Sequence, residues 1–285
     1  MMTVPRAEDP ARLALEGHDL HLGYAAGEDV VAGLDISVDE GSFTVIVGPN
    51  ACGKSTLLRS LSKVLPPRSG TVLLDGREIS SMRPKVFARQ VGFLAQSSIA
   101  PEAITVHELV GRGRYPHQSV LHQWSEEDDR QVSTAMERTH VAELARRRVS
   151  ELSGGQRQRV WIAMALAQQT RILLLDEPTT YLDLAHQVEL LDLLADLNEE
   201  RGTTMIMVLH ELNLAARVAD YLIAMKDGQI VSRGSAHEVL TSRNLNDIFG
   251  LKAKVADPFS DGSVVVVPHH RSVPASQKIL DDVNP

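Results

Sequence analysis

Residues 48–56 read GPNACGKST, and the spacing Gly48-x-x-x-x-Gly53-Lys54-Ser55 is that of a loop built to hold phosphate. The glycines let backbone N–H groups close around an anion, and a following helix adds its positive end. Pro49, Asn50, Ala51 and Cys52 fill the turn, and Thr56 leads into the next element. Lys54 has the length and charge to reach the β- and γ-phosphates, while Ser55 offers a hydroxyl to Mg²⁺. A second set of reactive groups closes RILLLDEP at 171–178. There a hydrophobic run ending in Asp176 brings a carboxylate to a phosphate-bound metal. Glu177 follows it and is free to polarise an attacking water. A lone acidic strand end is ordinarily just solvated; beside a phosphate loop it points to nucleotide hydrolysis. A third stretch, SELSGGQRQR at 150–159, places Gly154 and Gly155 before a helical pattern. It reads as a second anion cradle, without a lysine of its own.

These groups need elements to carry them. Ser42–Val47 is a short apolar strand running into the first glycine loop, and Thr56–Val64 has apolar residues at helical spacing. Strand, loop and helix in that order are the context a phosphate loop requires. Arg171–Leu175 and Thr204–Leu209 suit buried parallel strands, and Leu184–Arg201 between them is a long helix. Leu13–Leu22 alternates loosely as a half-buried strand, Ser69–Leu74 ends at an Asp75-Gly76 turn, and Gln90–Leu94 is a further short strand. From Thr105 to about Ser150 the chain is polar and helical, with Ser125 as the cap of a helix opening WSEEDDRQV. Residues 1–12 read as a tail, and Val264–Val267 as a short strand covering the sheet edge.

The whole chain narrows the class. It has 285 residues, 43% hydrophobic and 23% charged, the balance of an ordinary soluble globular protein. A net charge of -8 argues against nucleic acid as a partner. The single cysteine excludes an internal disulfide framework and any multi-cysteine metal cluster, and a reducing cytosol is the simplest compartment. The N-terminus lacks a secretory apolar region, and no run approaches the roughly 20 apolar residues of a membrane helix, so the chain is not expected to span a membrane. Cys52 is read as turn filler; a redox role would need a lowered thiol pKa. Arg146-Arg147-Arg148 reads as a solvated helix end, and the adjacent His269 and His270 would face opposite sides of a strand.

The segment LSGGQ at 152–156, shortly before the acidic strand, is more restrictive than either other motif. On it the sequence resembles the ATP-binding-cassette family, and further motifs appear in the family's order. Gln96 in GFLAQSS matches the Q-loop, Tyr181-Leu182-Asp183 the D-loop and His210 in MIMVLHELN the switch histidine; Tyr24 stands where an adenine-stacking aromatic belongs. The resemblance covers about residues 13–250. It implies an α/β P-loop NTPase with a mixed sheet core, an antiparallel β subdomain and an inserted helical subdomain at about 97–155, followed by a C-terminal extension at 251–285. It also implies ATP and Mg²⁺, with Ser55, Gln96 and Asp176 at the metal and Gln96 coupling to a partner. His210 would hold the γ-phosphate, and Tyr24 would stack on adenine.

In the family two cassettes pair head to tail. Ser153, Gly154, Gly155, Gln156 and Asp183 are therefore expected to meet an ATP held by the other copy's phosphate loop. With no membrane segment of its own, a transporter subunit would act at the cytoplasmic face of the membrane. Its partners would be separate integral-membrane permease subunits and, indirectly, a substrate-binding protein. TVHELVGRGRYPHQS (105–119), QWSEED (123–128) and TTYLDLAHQVELLDLL (179–194) look like cassettes of ferric-siderophore importers, with haem and cobalamin importers as near relatives. Two other classes remain in view: a soluble cassette ATPase of DNA repair, translation or iron–sulfur assembly, and a non-hydrolysing nucleotide-binding regulator. The acidic charge and the absence of a long coiled-coil insertion stand against repair and translation. The block at 105–128 stands against assembly, and Glu177 against a regulator.

Overall fold

The computed structural model describes residues 12–269 apart from 25, 26, 97, 98, 119–123, 259 and 261. Residues 1–11 of the expected tail at 1–12, Ser119 and Gln123 of the importer-like block, His270 and the polar end beyond it lie outside the described residues.

Two larger sheets and one two-stranded ribbon are present among the described residues. β1 (Leu13–Leu22), β2 (Val31–Asp39), β4 (Ser69–Leu74) and β5 (Arg77–Glu78) form an antiparallel sheet in the order β2-β1-β4-β5. The loose alternation of β1 has a cause: its register shifts between Gly17 and Leu20, where Asp19 adopts a φ of 46°. The larger sheet contains β3 (Phe43–Val47), β6 (Val91–Leu94), β7 (Ile172–Asp176), β8 (Thr204–Val208), β9 (Tyr221–Lys226) and β10 (Gln229–Gly234). Its order is β10-β9-β3-β8-β7-β6, with only the β9–β10 pair antiparallel.

Every residue of FTVIV, ILLLD and TMIMV is buried, as strands covered on both faces must be. Successive side chains go to opposite layers. Phe43, Val45 and Val47 pack with Leu191, Leu194 and Trp161, whereas Ile46 packs with Leu57, Leu58 and Leu61 of α1 (Lys54–Leu61) and with the antiparallel sheet. The other α-helices among the described residues are α2 (Pro84–Ala88), α3 (Val106–Gly111), α4 (Glu126–Arg138), α5 (Gly154–Ala167), α6 (Leu184–Arg201), α7 (Leu212–Val218), α8 (Ala236–Val239) and α9 (Ser242–Phe249).

The polar block after Gln96 contains α3 and α4, both packed on α5. Ser125 caps α4 as expected: its Oγ accepts from Asp128 N at 3.2 Å while Asp128 Oδ2 accepts from Ser125 N at 3.0 Å. The buried Arg114 clamps the three helices, donating to Asp128 Oδ1 at 2.7 Å and to the Ala167 carbonyl at 2.8 Å. Burial pushes the Asp128 carboxyl up, but the hydrogen bonds from Arg114 and Ser125 outweigh it and hold the group below its usual range.

Two expectations are corrected. The strand β12 (Val265–Pro268) forms, but it pairs with β11 (Ala253–Ala256) in a two-stranded ribbon rather than covering the edge of the main sheet. Asn213 of α7 holds it there, accepting from Val266 N at 2.7 Å and donating to the Val266 carbonyl at 3.3 Å. Arg146–Arg148 are exposed, yet they do not end an α-helix. Their backbone runs antiparallel to residues 104–106, with Val106 N on the Arg147 carbonyl and Val149 N on the Ile104 carbonyl, each at 3.0 Å.

Candidate functional site

Parallel strands align their C-terminal ends, and the order β3-β8-β7-β6 therefore sets four loops side by side. These are the phosphate loop after β3, His210 after β8, Glu177 after β7 and Gln96 after β6. Open sheets of this kind present ligands at that edge.

The phosphate loop is wedged into shape. Gly48 has a φ of 155°, and a Cβ there would lie 2.3 Å from the Met225 carbonyl oxygen. Gly53, at a φ of 102°, leaves room for the side chain of Val31, which a Cβ would approach to 2.9 Å. Lys54 crosses the turn, its buried Nζ donating to the carbonyls of Gly48 and Pro49 at 2.8 Å each. Cys52 is buried, which pushes its thiol up against the weaker pull of Lys54. That is the opposite of the low pKa a reactive thiol needs, so the turn-filler reading stands.

Ser55 Oγ donates to Asp176 Oδ1 at 2.8 Å. Asp176 is fully buried, and its Oδ2 has no hydrogen-bond partner among the described residues. Burial pushes this carboxyl up; the Ser55 hydrogen bond opposes that, and the neighbouring Glu177 charge adds to it. An orphaned buried carboxylate oxygen beside a hydroxyl is chemistry that suits a hard divalent cation. Among the described residues no three His, Cys, Asp or Glu side chains converge on such an ion. Mg²⁺ fits that sparse donor set, because it is commonly held by one or two carboxylates together with substrate phosphates and water.

Glu177 is the focus of the cluster. Its φ is 52°, the left-handed region, and its carboxylate is almost wholly buried. His210 Nε2 lies 2.5 Å from Oε1, and Gln96 Nε2 donates to Oε2 at 2.5 Å. Left-handed backbone costs a non-glycine residue about 1–3 kcal/mol and persists where the surroundings over-determine it. Here it aims an acid into a cavity of about 480 Å³ shared by Tyr24, Asn50–Thr56, Gln96, Glu177 and His210.

Tyr24 sits at the rim, about half exposed, with its hydroxyl 3.3 Å from Thr56 Oγ1 and accepting from Arg59 Nη1 at 3.1 Å. Arg59 was not among the residues the sequence singled out. The readable signal was its i,i+3 spacing from Thr56, which puts both on one face of α1.

The lysine-free cradle lies apart from this cavity. Ser153 caps α5: its Oγ accepts from Gln156 N at 3.3 Å, and Gln156 Oε1 accepts from Ser153 N at 3.2 Å. A serine hydroxyl that accepts one bond still has its own proton to give. Gly154 borders a different cavity of about 320 Å³, joined there by Gln96, Gln158 and Tyr181. Asp183 caps α6, accepting from His186 N at 3.0 Å, and does not line the phosphate-loop cavity either. Within one chain, then, Gln96, Glu177, His210, Tyr24 and residues 50–56 come together, whereas Ser153–Gln156 and Asp183 do not join them.

A strand-to-helix phosphate loop with an acidic strand end one strand removed defines a P-loop nucleoside-triphosphate hydrolase. The particular branch follows from comparison with known proteins: the model of the ABC transporter family matches residues 31–180. The chain belongs to that family, and it is an ATPase. It is 49% identical to the ferric enterobactin transport ATP-binding protein FepC of Escherichia coli (strain K12), over 92% of this chain and 96% of that protein. Among solved structures, a putative metal-chelate type ABC transporter in an inward-facing conformation matches with a TM-score of 0.76 and 29% identity, over 91% of this chain and 98% of the other. The dimeric structure of the bacterial ABC transporter cassette MJ0796 matches with a TM-score of 0.72 and 28% identity, over 78% and 98%. Among the described residues no helix is long and apolar enough to cross a membrane.

Proposed function

We propose that this ATPase powers the uptake of a ferric siderophore, or a related metal chelate such as haem or cobalamin, through separate membrane permease subunits. It would do so as a head-to-tail homodimer on the cytoplasmic face of the membrane. Residues 13–250 form its ATPase domain, the helical block at about 97–155 faces the permease, and 251–285 are an extension. The cargo reading is supported by the near full-length likeness to a ferric enterobactin transport subunit. The dimeric form of a related cassette supports the pairing.

The observation that carries the chemistry is the Glu177 carboxylate, held by Gln96 and His210 in the cavity of the phosphate loop. The loop amides and Lys54 grip the phosphates of ATP. Ser55, Asp176 and Gln96 would hold Mg²⁺, which would supply positive charge against the negative charge that develops in phosphoryl transfer. Glu177 orients or deprotonates water for in-line attack, giving ADP and phosphate. His210 moves from the Glu177 carboxylate to the γ-phosphate, and Tyr24 stacks on adenine. Ser153, Gly154, Gly155 and Gln156 give a hydroxyl and amides to the partner's γ-phosphate, with Asp183 beside them.

Affinity purification from native membranes tests the partner directly. The chain should co-purify with an integral-membrane permease, and cells without it should lose uptake of ⁵⁵Fe-loaded siderophore. Co-purification with ribosomes or iron–sulfur assembly proteins, with iron uptake intact, would overturn the transport reading.

A further inference from the structure

The helix that opens at the signature segment also reaches the catalytic strand of its own chain. Gln158 lies in the first turns of α5 and is only 7% exposed. Its Nε2 donates to the carbonyl oxygen of Pro178 at 2.9 Å. Pro178 immediately follows Glu177, and proline has no N–H to anchor its own peptide. Its carbonyl is what that residue has left to offer, and Gln158 takes it.

The Glu177 backbone is held from other directions as well. Glu177 N donates to the Val208 carbonyl at 3.2 Å, and Thr180 N to the Glu177 carbonyl at 3.3 Å. Two glutamines thus reach one dipeptide from a shared cavity, Gln96 at the carboxylate and Gln158 at the following carbonyl. The chain beyond Pro178 then presses on the start of α5. A Cβ on Gly154 would lie 3.4 Å from Tyr181 Cβ, and one on Gly155 3.4 Å from the Tyr181 carbonyl oxygen.

We infer that Gln158 is a positioning residue for ATP hydrolysis. Through the Pro178 carbonyl it fixes the orientation of Glu177 and ties it to the signature helix of the same chain. The inference rests on Glu177 acting on the attacking water, as proposed above. The two ends of this tie serve different nucleotides: Glu177 faces the ATP of its own phosphate loop, and Ser153 the ATP of the partner. Loss of the tie leaves the phosphate loop untouched, because Lys54 and its amides stand on other elements. It affects the step that needs Glu177 in register.

The full-length chain carrying Gln158→Met, a donor-free side chain of similar length, is compared with Gln158→Glu and with Glu177→Gln. Both Gln158 variants should lower kcat about ten- to a hundredfold, the scale on which a misplacement of about 1 Å acts, while the KM for ATP changes by less than about threefold. A merely structural Gln158 would lower Tm and leave the kcat of the folded protein unchanged. That outcome, in either variant that folds, overturns the inference. Stalled turnover in Glu177→Gln alongside normal turnover in Gln158→Met refutes the inference alone. Normal turnover in Glu177→Gln refutes the role of Glu177, and the inference with it.

Discussion

Glu177→Gln binds ATP with near-native affinity and hydrolyses it about 10²- to 10⁴-fold more slowly, the contribution typical of a positioned general base. The substitution keeps the size of the side chain, so contacts to Gln96 and His210 survive as hydrogen bonds while the negative charge disappears. The phosphate loop is left as it is: its amides lie between β3 and α1, Lys54 and Ser55 open α1, and Asp176 closes β7. ATP that stays uncleaved keeps two copies joined, and the variant should elute as a dimer in ATP and as a monomer without it. Turnover near the native rate would contradict the assignment of Glu177.

The second large effect belongs to Lys54→Ala. A charge-assisted hydrogen bond to phosphate is worth about 1.5–3 kcal/mol, or roughly ten- to over a hundredfold in affinity. The loss extends to the loop itself. In this chain Lys54 Nζ bridges the Gly48 and Pro49 carbonyls, so its removal also frees two acceptors that hold the turn closed. Titration of the purified variant with a fluorescent ATP analogue should show that weakening, together with a lowered Tm from the two carbonyls left without their donor. Native affinity would count against the loop as the nucleotide site.

The parts of this architecture legible in the sequence are those whose signal is local. GPNACGKST, RILLLDEP and the Leu184–Arg201 pattern each fix backbone geometry within a few residues. They appear as the phosphate loop, the β7 end and α6. The importer-like block yielded its Ser125 cap for the same reason. What escaped is set by residues distant in sequence. β12 pairs where Asn213 holds it, the end of the arginine run bridges to Thr105, and Arg59 meets a tyrosine 35 residues away. Gln158 stood inside the quoted signature stretch, yet its partner is Pro178, 20 residues on, and no spacing rule connects them.

Half of the proposed site lies in a second copy, so the central claim is geometric. Ser153 caps its own helix and is absent from the cavity of its own phosphate loop, as expected for a group that serves the other subunit. Mixed dimers of Ser153→Arg and Lys54→Ala chains test this most directly. If Ser153 acts in trans, the mixture has one composite site with both changes and one with neither. Equilibrium binding then gives one tightly held ATP per mixed dimer. If each chain completes its own site, both sites are damaged, and no tightly held ATP in the mixed dimer would contradict the account.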